Sequence, residues 1–247
     1  MSLKNLAIRI LPARYLLPLR YYARRIRGTL EREMSLLPRL VEPGRVALDV
    51  GANVGLYSYA LAKLGASVEA FEPVPWCAAS IESFRSPRIR VHRIALSSRA
   101  GFSELHIPLA RGRLWPSRAS LGTTQHAGSV LRVPVATLDS FGFAGVSFVK
   151  IDVEGHELEV LRGAVETLSR ESPNLLVEVE QARLPYLMEE VFAFLRQLGY
   201  RGFFLLGARL RPLSEFSLRE HQRRFSDGEP APGFVCNFVF SQRRLAG

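Results

Sequence analysis

The chain has 247 residues, of which 47% are hydrophobic and 23% are charged, so it is neither a disordered nor a fibrous protein. Its two cysteines are too few for a disulfide framework or a cysteine-based metal cluster, and a reducing cytoplasm is expected. No apolar run approaches the roughly 20 residues that cross a bilayer, and arginines and prolines interrupt every stretch that a secretory signal would need.

The positive charge is concentrated near the N-terminus. The formal net charge is +10, and residues 1–40 contribute +7 through nine basic and two acidic side chains. The rest of the chain carries only +3, so it is not predicted to bind a polyanion, and nucleic acid is not a favoured partner.

Residues 1–40 are predicted to form a basic amphipathic helical extension. Apolar residues recur at three- and four-residue spacing around Pro12 and Pro18, which is typical of helices with one apolar face. These are Leu3, Leu6, Ala7, Ile10, Leu11, Leu19, Tyr22, Ala23, Ile26, Leu30, Met34 and Leu37. Such helices could contact an anionic membrane surface, or form a lid or a dimerisation element. A predicted turn at 42–44 marks the boundary between this extension and a domain predicted over residues 41–247.

Beyond this turn, predicted strands and helices alternate. Strands are predicted at 46–50, 67–72, 89–95, 146–152 and 175–180, with weaker extended segments at 102–107 and 130–135. Helices are predicted at 54–64, 75–84, 157–169 and 186–198. This order predicts an α/β fold with a doubly wound, mostly parallel sheet. The last two extended runs, 200–206 and 234–240, lack a helix between them and could pair antiparallel at one edge.

The strongest chemical signal is the turn between the first strand and the first helix. Asp49 is the second-to-last residue of the strand, and Gly51, Asn53 and Gly55 follow the strand. The glycines let the backbone turn sharply and approach a ligand, and the helix that follows presents its free amides. Strand-to-helix turns of this kind are where open α/β sheets bind ligands.

Glu72 lies at the end of the second strand, 23 residues after Asp49. A carboxylate at this place can accept hydrogen bonds from both ribose hydroxyls of a nucleoside. Gly51 and Gly55 do not complete the dinucleotide fingerprint, and no Gly-Lys-Ser/Thr follows, so neither a dinucleotide site nor a P-loop is predicted. Two interpretations remain. One is a site for a nucleoside that carries no pyrophosphate. The other is that the two glycines only form a turn and the acid only caps a helix, as in any α/β protein.

Five segments of the chain together resemble the FkbM-type methyltransferases, class I enzymes that use S-adenosylmethionine. These segments are residues 49–55, 71–73, 95–97, 137–139 and, as the most specific, 150–157. The resemblance covers roughly residues 41–240, and residues 1–40 lie outside it.

This resemblance implies a seven-stranded Rossmann-like sheet with a reversed final strand. It implies transfer of a methyl group to an oxygen of a sugar, glycan, glycolipid or secondary metabolite. It further implies cofactor contacts from seven residues: Asp49, Gly51, Asn53 and Gly55 at the methionine end, Glu72 at the ribose, and Ala95 and Leu96 at the adenine.

The end of the fourth long strand is the second candidate site. Asp152 is expected beside the cofactor crevice, where it is a further candidate cofactor contact. Asp152 and His156 are also the two candidates for the base that accepts the proton of a hydroxyl. For His156, a hydrogen-bonding role at the start of a helix is an equal alternative.

Three further residues are candidate substrate contacts: Glu154, Glu178, and Trp115 in a polar loop. A divalent metal is not favoured, since acids without a specific ligand spacing are weak evidence for one.

Two other functions are open from the sequence. A nicotinamide-dependent oxidoreductase would need a third glycine at 56–58, which the chain lacks. A membrane-surface adaptor with a vestigial nucleoside site would be expected to have lost the cofactor residues, yet all of them are present. The oligomeric state is not predicted.

Overall fold

A computed structural model of the protein describes residues 11–110, 112–121, 128–225 and 229–243. Its main feature is an eight-stranded sheet. The strands of this sheet are β1 (Val46–Val50), β2 (Ser67–Phe71), β3 (Ile89–His92), β9 (Val146–Ile151), β10 (Asn174–Glu178), β11 (Arg201–Leu206), β12 (Arg209–Pro212) and β13 (Asn237–Ser241). Their order in the sheet is β12-β11-β13-β10-β9-β1-β2-β3.

Five adjacent strands of this sheet, from β3 to β10, run parallel. The final strand, β13, is antiparallel to both of its neighbours, β10 and β11, and β12 is antiparallel to β11. The mostly parallel sheet is therefore confirmed. The seven-strand count is wrong for the described residues, because β12 adds an eighth strand, and the reversed final strand lies inside the sheet rather than at its edge.

Helices cover both faces of the sheet. Alternate strand residues point to opposite sides, so Ala47 and Phe148 belong to one core while Leu48 and Val149 belong to the other. The described α-helices are α1 (Leu16–Ile26), α2 (Leu37–Leu40), α3 (Leu56–Lys63), α4 (Pro75–Glu82), α5 (Glu157–Arg162), α6 (Val165–Glu171), α7 (Met188–Gln197) and α8 (Leu218–His221). The predicted helix at 157–169 is divided into α5 and α6.

A second, smaller sheet lies above the carboxyl end of β3. The predicted third strand at 89–95 breaks after His92, and the chain continues into this second sheet. Its strands are β4 (Ala95–Leu96), β5 (Gly101–Ala110), β6 (Arg113–Leu114), β7 (Ser120–Leu121) and β8 (Gly128–Ala136), with β5 and β8 forming a long antiparallel pair. This sheet supplies one wall of the cleft described below.

The N-terminal segment packs against the domain. Leu37 and Leu40 of α2 are buried in the same core as α3, and α1 contacts the domain through the buried side chain of Leu17. The predicted apolar face is only partly buried, because Leu19 and Ile26 of α1 are exposed. The part of that prediction at residues 3–10 lies outside the described residues.

Candidate active site

The turn after β1 has a backbone that only glycine accommodates easily. Gly51 and Gly55 have φ angles of 79° and 86°, in the left-handed region. A Cβ on Gly51 would lie 1.8 Å from the carbonyl oxygen of Asp152, and a Cβ on Gly55 would lie 2.8 Å from Ile81. The turn therefore lies directly against the turn that follows β9, and α3 begins at Leu56 immediately behind it.

Glu72 fixes this turn from the neighbouring strand. Its carboxylate accepts hydrogen bonds from the backbone N–H groups of Asn53, at 2.6 Å, and Val74, at 2.7 Å. Burial raises the pKa of Glu72 to about 7 despite these two hydrogen bonds. Each carboxylate oxygen has a second lone pair, so the group retains acceptor capacity for a ligand hydroxyl.

Asp49 is buried beneath the same turn. The hydroxyl of Ser58 donates a hydrogen bond of 2.5 Å to Asp49 Oδ2, which ties the end of β1 to α3. Burial raises the pKa of Asp49 to about 6, because the charged form loses its hydration. In β1, Asp49 pairs with Lys150 of β9.

Two clefts meet at this turn. The first opens between the carboxyl ends of the parallel strands and the small sheet, and it is lined by Phe71, Glu72, Ala95, Leu96, Asp152 and Glu154 among others. The second lies under α3 and is lined by Glu31, Asp49, Tyr57, Lys150 and Asp152 among others. Gly51, Asn53 and Asp152 line both clefts, so they mark the junction.

Asp152 is held at this junction beside a buried cation. Lys150 Nζ lies 3.7 Å from Asp152 Oδ2, donates a hydrogen bond of 3.1 Å to Asn237 Oδ1, and lies 5.3 Å from the centre of the Tyr57 ring. Burial alone would lower the pKa of Lys150, but the surrounding acids, Asp152 first among them, raise it above its usual value. Lys150 is therefore cationic at neutral pH.

The N-terminal segment contributes to the second cleft. The hydroxyl of Tyr57 donates a hydrogen bond of 2.7 Å to Glu31 Oε2, which brings the connection between α1 and α2 over the end of β1. Glu31 also accepts a hydrogen bond of 3.5 Å from the Asn237 side chain. The extension thus forms part of the wall of this cleft.

His156 lies apart from Asp152. Its Nε2 is 2.8 Å from the hydroxyl of Ser97, and it does not line either of the two clefts. Burial lowers its pKa, so the ring is neutral at pH 7. The structure therefore does not bring the two predicted bases together, and it places His156 in the helix-start, hydrogen-bonding position that was its alternative.

The predicted substrate residues Glu154 and Glu178 meet an arginine that the sequence analysis did not single out. Arg183 forms ion pairs with Glu154 and with Glu178, the latter at 3.5 Å. Oxygens of Asp152, Glu154 and Glu178 all lie within 4.8 Å of one another, a spacing that a metal ion could use. The Arg183 guanidinium already supplies positive charge there, and the expectation that no metal is needed stays a prediction.

Trp115 is half exposed and lies beside the first cleft rather than in its wall. The guanidinium of Arg118 lies 4.9 Å from the centre of its ring, and the next two residues, Pro116 and Ser117, line the cleft. Its role as a substrate contact stays a prediction.

The sequence matches one family model, described as "Methyltransferase FkbM domain", over residues 49–201. This stretch begins at Asp49 and includes every candidate site residue named above except Glu31 and Asn237. The chain belongs to the FkbM methyltransferase family. The family predicted from the sequence is thereby confirmed, whereas the nicotinamide-dependent alternative finds no support. Comparison with curated proteins finds no match.

Solved structures resemble this member of the FkbM family in fold. The FkbM methyltransferase from Methylobacillus flagellatus has a TM-score of 0.52 and 15% identity, with 94% of this chain and 59% of that chain covered. The chain thus spans about three fifths of that relative. A precorrin-6y C5,15-methyltransferase from Geobacter metallireducens has a TM-score of 0.48 and 12% identity, covering 85% of each chain. A SAM-dependent methyltransferase from Aquifex aeolicus has a TM-score of 0.41 and 16% identity, covering 98% of each.

Proposed function

We propose that this FkbM-family protein transfers a methyl group from S-adenosylmethionine to a hydroxyl oxygen. The acceptor we propose is a sugar, a glycan, a glycolipid or a secondary metabolite. The observation that carries the proposal is the junction of two clefts at Gly51, Asn53 and Asp152, where one carboxylate faces the place at which a donor and an acceptor can meet.

The two clefts suit the two halves of the cofactor. The second cleft, with Asp49 and Glu31, offers carboxylates to the amino group of the methionine part. The first offers Glu72 to the ribose hydroxyls and the apolar side chains of Ala95 and Leu96 to the adenine. When bound, the cofactor supplies an electrophilic methyl group on a positively charged sulfur.

The residues of the chain would position the acceptor and take its proton. In the proposed reaction the hydroxyl oxygen forms a bond to the methyl carbon, the carbon–sulfur bond breaks, and its electron pair remains on sulfur. The proton of the hydroxyl passes to Asp152, which lies at the junction. Lys150 supports this role, because its ammonium group, 3.7 Å from Asp152 Oδ2, helps to hold the carboxylate at the junction.

One feature favours a working catalytic site over a vestigial one, and a second favours a reducing compartment over a secretory one. Asp49, Glu72 and Asp152 are all held by specific contacts, as a working site requires. Both Cys77 and Cys236 are free thiols, which fits the cytoplasm that we propose as the site of the reaction.

The test has two parts. Isothermal titration of the folded protein with S-adenosylhomocysteine should give a dissociation constant in the micromolar range typical of enzyme ligands. Incubation of glycan, glycolipid and metabolite fractions with methyl-labelled cofactor, followed by mass spectrometry, should then locate the label on an oxygen. Absence of binding by the folded protein would refute the cofactor site, and label on nitrogen or carbon would refute O-methylation.

A further inference from the structure

Helix α1 carries an apolar stripe on the face that points away from the protein. Tyr15, immediately before the helix, is 48% exposed, and Leu19, Tyr22 and Ile26 are 46%, 40% and 86% exposed. Their spacing of four, three and four residues places all of them on one side of a helix. Ile26 in particular is almost fully exposed to water, which is unusual for an isoleucine.

The attachment of α1 to the domain uses the opposite face. Leu17 is fully buried and lies close to Gly55 and Ile81, while Arg20 donates a hydrogen bond of 2.8 Å to Ser80. The Tyr21 ring packs against Tyr59, with 5.0 Å between the ring centres. At the border of the stripe, Tyr22 contacts Tyr59 and Lys63 of the domain, whereas Leu19 and Ile26 are left exposed among the described residues.

Positive charge surrounds the stripe. Residues 1–30 contain seven basic and no acidic residues. Within the described part of the chain, Arg14, Arg24, Arg25 and Arg27 form no ion pair with a carboxylate, so their charge faces solvent. Lys63 adds a further cation beside the stripe, where its Nζ lies 2.7 Å from the Tyr22 hydroxyl.

We propose that α1 is an interfacial helix that docks the enzyme on an anionic lipid surface. The stripe enters the boundary between headgroups and acyl chains, with Tyr15 and Tyr22 at headgroup depth, and the arginines contact lipid phosphates. No helix among the described residues is long and apolar enough to cross a membrane, so the contact is peripheral.

Charge favours a lipid surface over a second copy of the chain as the occupant. Two α1 helices packed through their stripes would bring Arg14, Arg25 and Arg27 of each copy close together with no acid on either helix to offset them. An anionic surface gains from the same arginines.

This docking would orient the catalytic site. Because Leu17 contacts Gly55 and α1 packs on α3 and α4, the edge of the sheet that bears the cofactor turn lies one helix layer from the lipid. The inference about docking stands independently of which hydroxyl is methylated.

The experiment is co-sedimentation of the full chain with vesicles of phosphatidylcholine alone or with added phosphatidylglycerol. We expect binding to the anionic vesicles only, and binding that weakens with salt. The double variant Leu19→Asp, Ile26→Asp should bind at least tenfold more weakly. The double variant Arg25→Gln, Arg27→Gln should bind about 25-fold more weakly, since each arginine near such a surface contributes about fivefold.

The control is Val130→Asp, which introduces one such carboxylate at a half-exposed apolar position of β8 and should leave binding within twofold. Thermal unfolding checks that each variant is folded. Equal binding by the wild type and the Leu19→Asp, Ile26→Asp variant would overturn the proposal. A lipid-free dimer that this variant converts to a monomer would also overturn it, because the stripe would then join two copies.

Discussion

The carbonyl oxygen of Asp152 occupies the space next to the α-carbon of Gly51. A Cβ on residue 51 would lie 1.8 Å from that oxygen, so the turn after β1 and the turn after β9 touch backbone to backbone. This contact places the candidate base directly beside the candidate cofactor turn. A change in the backbone of either turn would therefore displace the other turn.

Gly51→Ala should therefore disable the site, and Gly44→Ala is its matched control. Both glycines have φ near +80°, but a Cβ on Gly44 meets nothing within 4 Å. We expect Gly44→Ala to cost only the left-handed backbone, about 1 kcal/mol. Gly51→Ala should lower the melting temperature further and reduce binding of S-adenosylhomocysteine at least tenfold in calorimetry. Similar behaviour of the two variants would show that the contact with Asp152 is unimportant.

Much of the fold could be predicted from local patterns. β1 was predicted at its observed bounds, because a short apolar run is followed directly by a glycine turn. β12 was missed, since Arg209–Pro212 alternates arginine with other residues and pairs only through β11 at the sheet edge. The break between α5 and α6 was missed because a single glycine is tolerated in helices, whereas Gly163 here packs against the Ser97 carbonyl.

The candidate site could be predicted only in part, because some of its side chains come together from distant parts of the sequence. Asp49, Glu72 and Asp152 end neighbouring strands, and the ends of parallel strands meet at one edge of the sheet. Lys150 begins the segment 150–157 that carries the family resemblance, but its role had no local signal, because its environment depends on Tyr57 and Asn237, which are far away in sequence. Glu31 had no signal at all. Arg183 likewise reaches Glu154 from a separate loop.

Cofactor binding should depend on pH through Glu72. Burial raises its pKa to about 7, and the ionised form is the one that accepts two ribose hydrogen bonds. At pH 6 about one molecule in ten has this form, so affinity for S-adenosylhomocysteine should fall about tenfold between pH 8 and pH 6. Glu72→Gln should weaken binding at pH 8 by ten- to a hundredfold and flatten this dependence. An unchanged pH profile in calorimetry would contradict the assignment.

The raised pKa of Glu72 also makes the free energy of unfolding depend on pH. The pKa is raised from 4.5 to about 7 in the folded state, which therefore binds more protons than the unfolded state between these values. The contribution of Glu72 to stability is present below pH 4.5 and is lost as the pH rises through about 7. Urea denaturation of cofactor-free protein should show this fall, and Glu72→Gln should reduce its slope.

Asp152 and His156 can be separated by kinetics. Asp152→Asn should lower kcat by a factor of about 10² to 10⁴ while cofactor affinity changes less than fivefold, because the group acts on the acceptor proton. His156→Gln should retain kcat within about fivefold, since its ring bonds to Ser97 outside both clefts. Glu189→Gln, on the exposed start of α7, serves as the control. A larger loss in His156→Gln than in Asp152→Asn would reverse the assignment.

Lys150 is expected to act as a positioning residue for Asp152. Lys150→Gln keeps a hydrogen-bond donor near Asn237 but removes the cation 3.7 Å from the carboxylate. We expect kcat at pH 7 to fall roughly ten- to a hundredfold, or about 1.4 to 2.7 kcal/mol in activation free energy. Affinity for S-adenosylhomocysteine should change less than fivefold in the same variant. A parallel loss of cofactor binding or a large fall in melting temperature would indicate a merely structural role.

Arg183 provides a test for metal dependence. Because its guanidinium pairs with Glu154 and Glu178, we expect EDTA to leave the initial rate of the wild type unchanged. Arg183→Ala frees these acids beside Asp152, where all three offer oxygens within 4.8 Å, so this variant should gain measurable Mn²⁺ affinity in titration calorimetry. The control variant Arg162→Ala, which removes an exposed ion pair with Glu159, should gain no Mn²⁺ affinity. Loss of wild-type activity in EDTA with recovery by Mg²⁺ would instead show that a cation displaces Arg183 in the working enzyme.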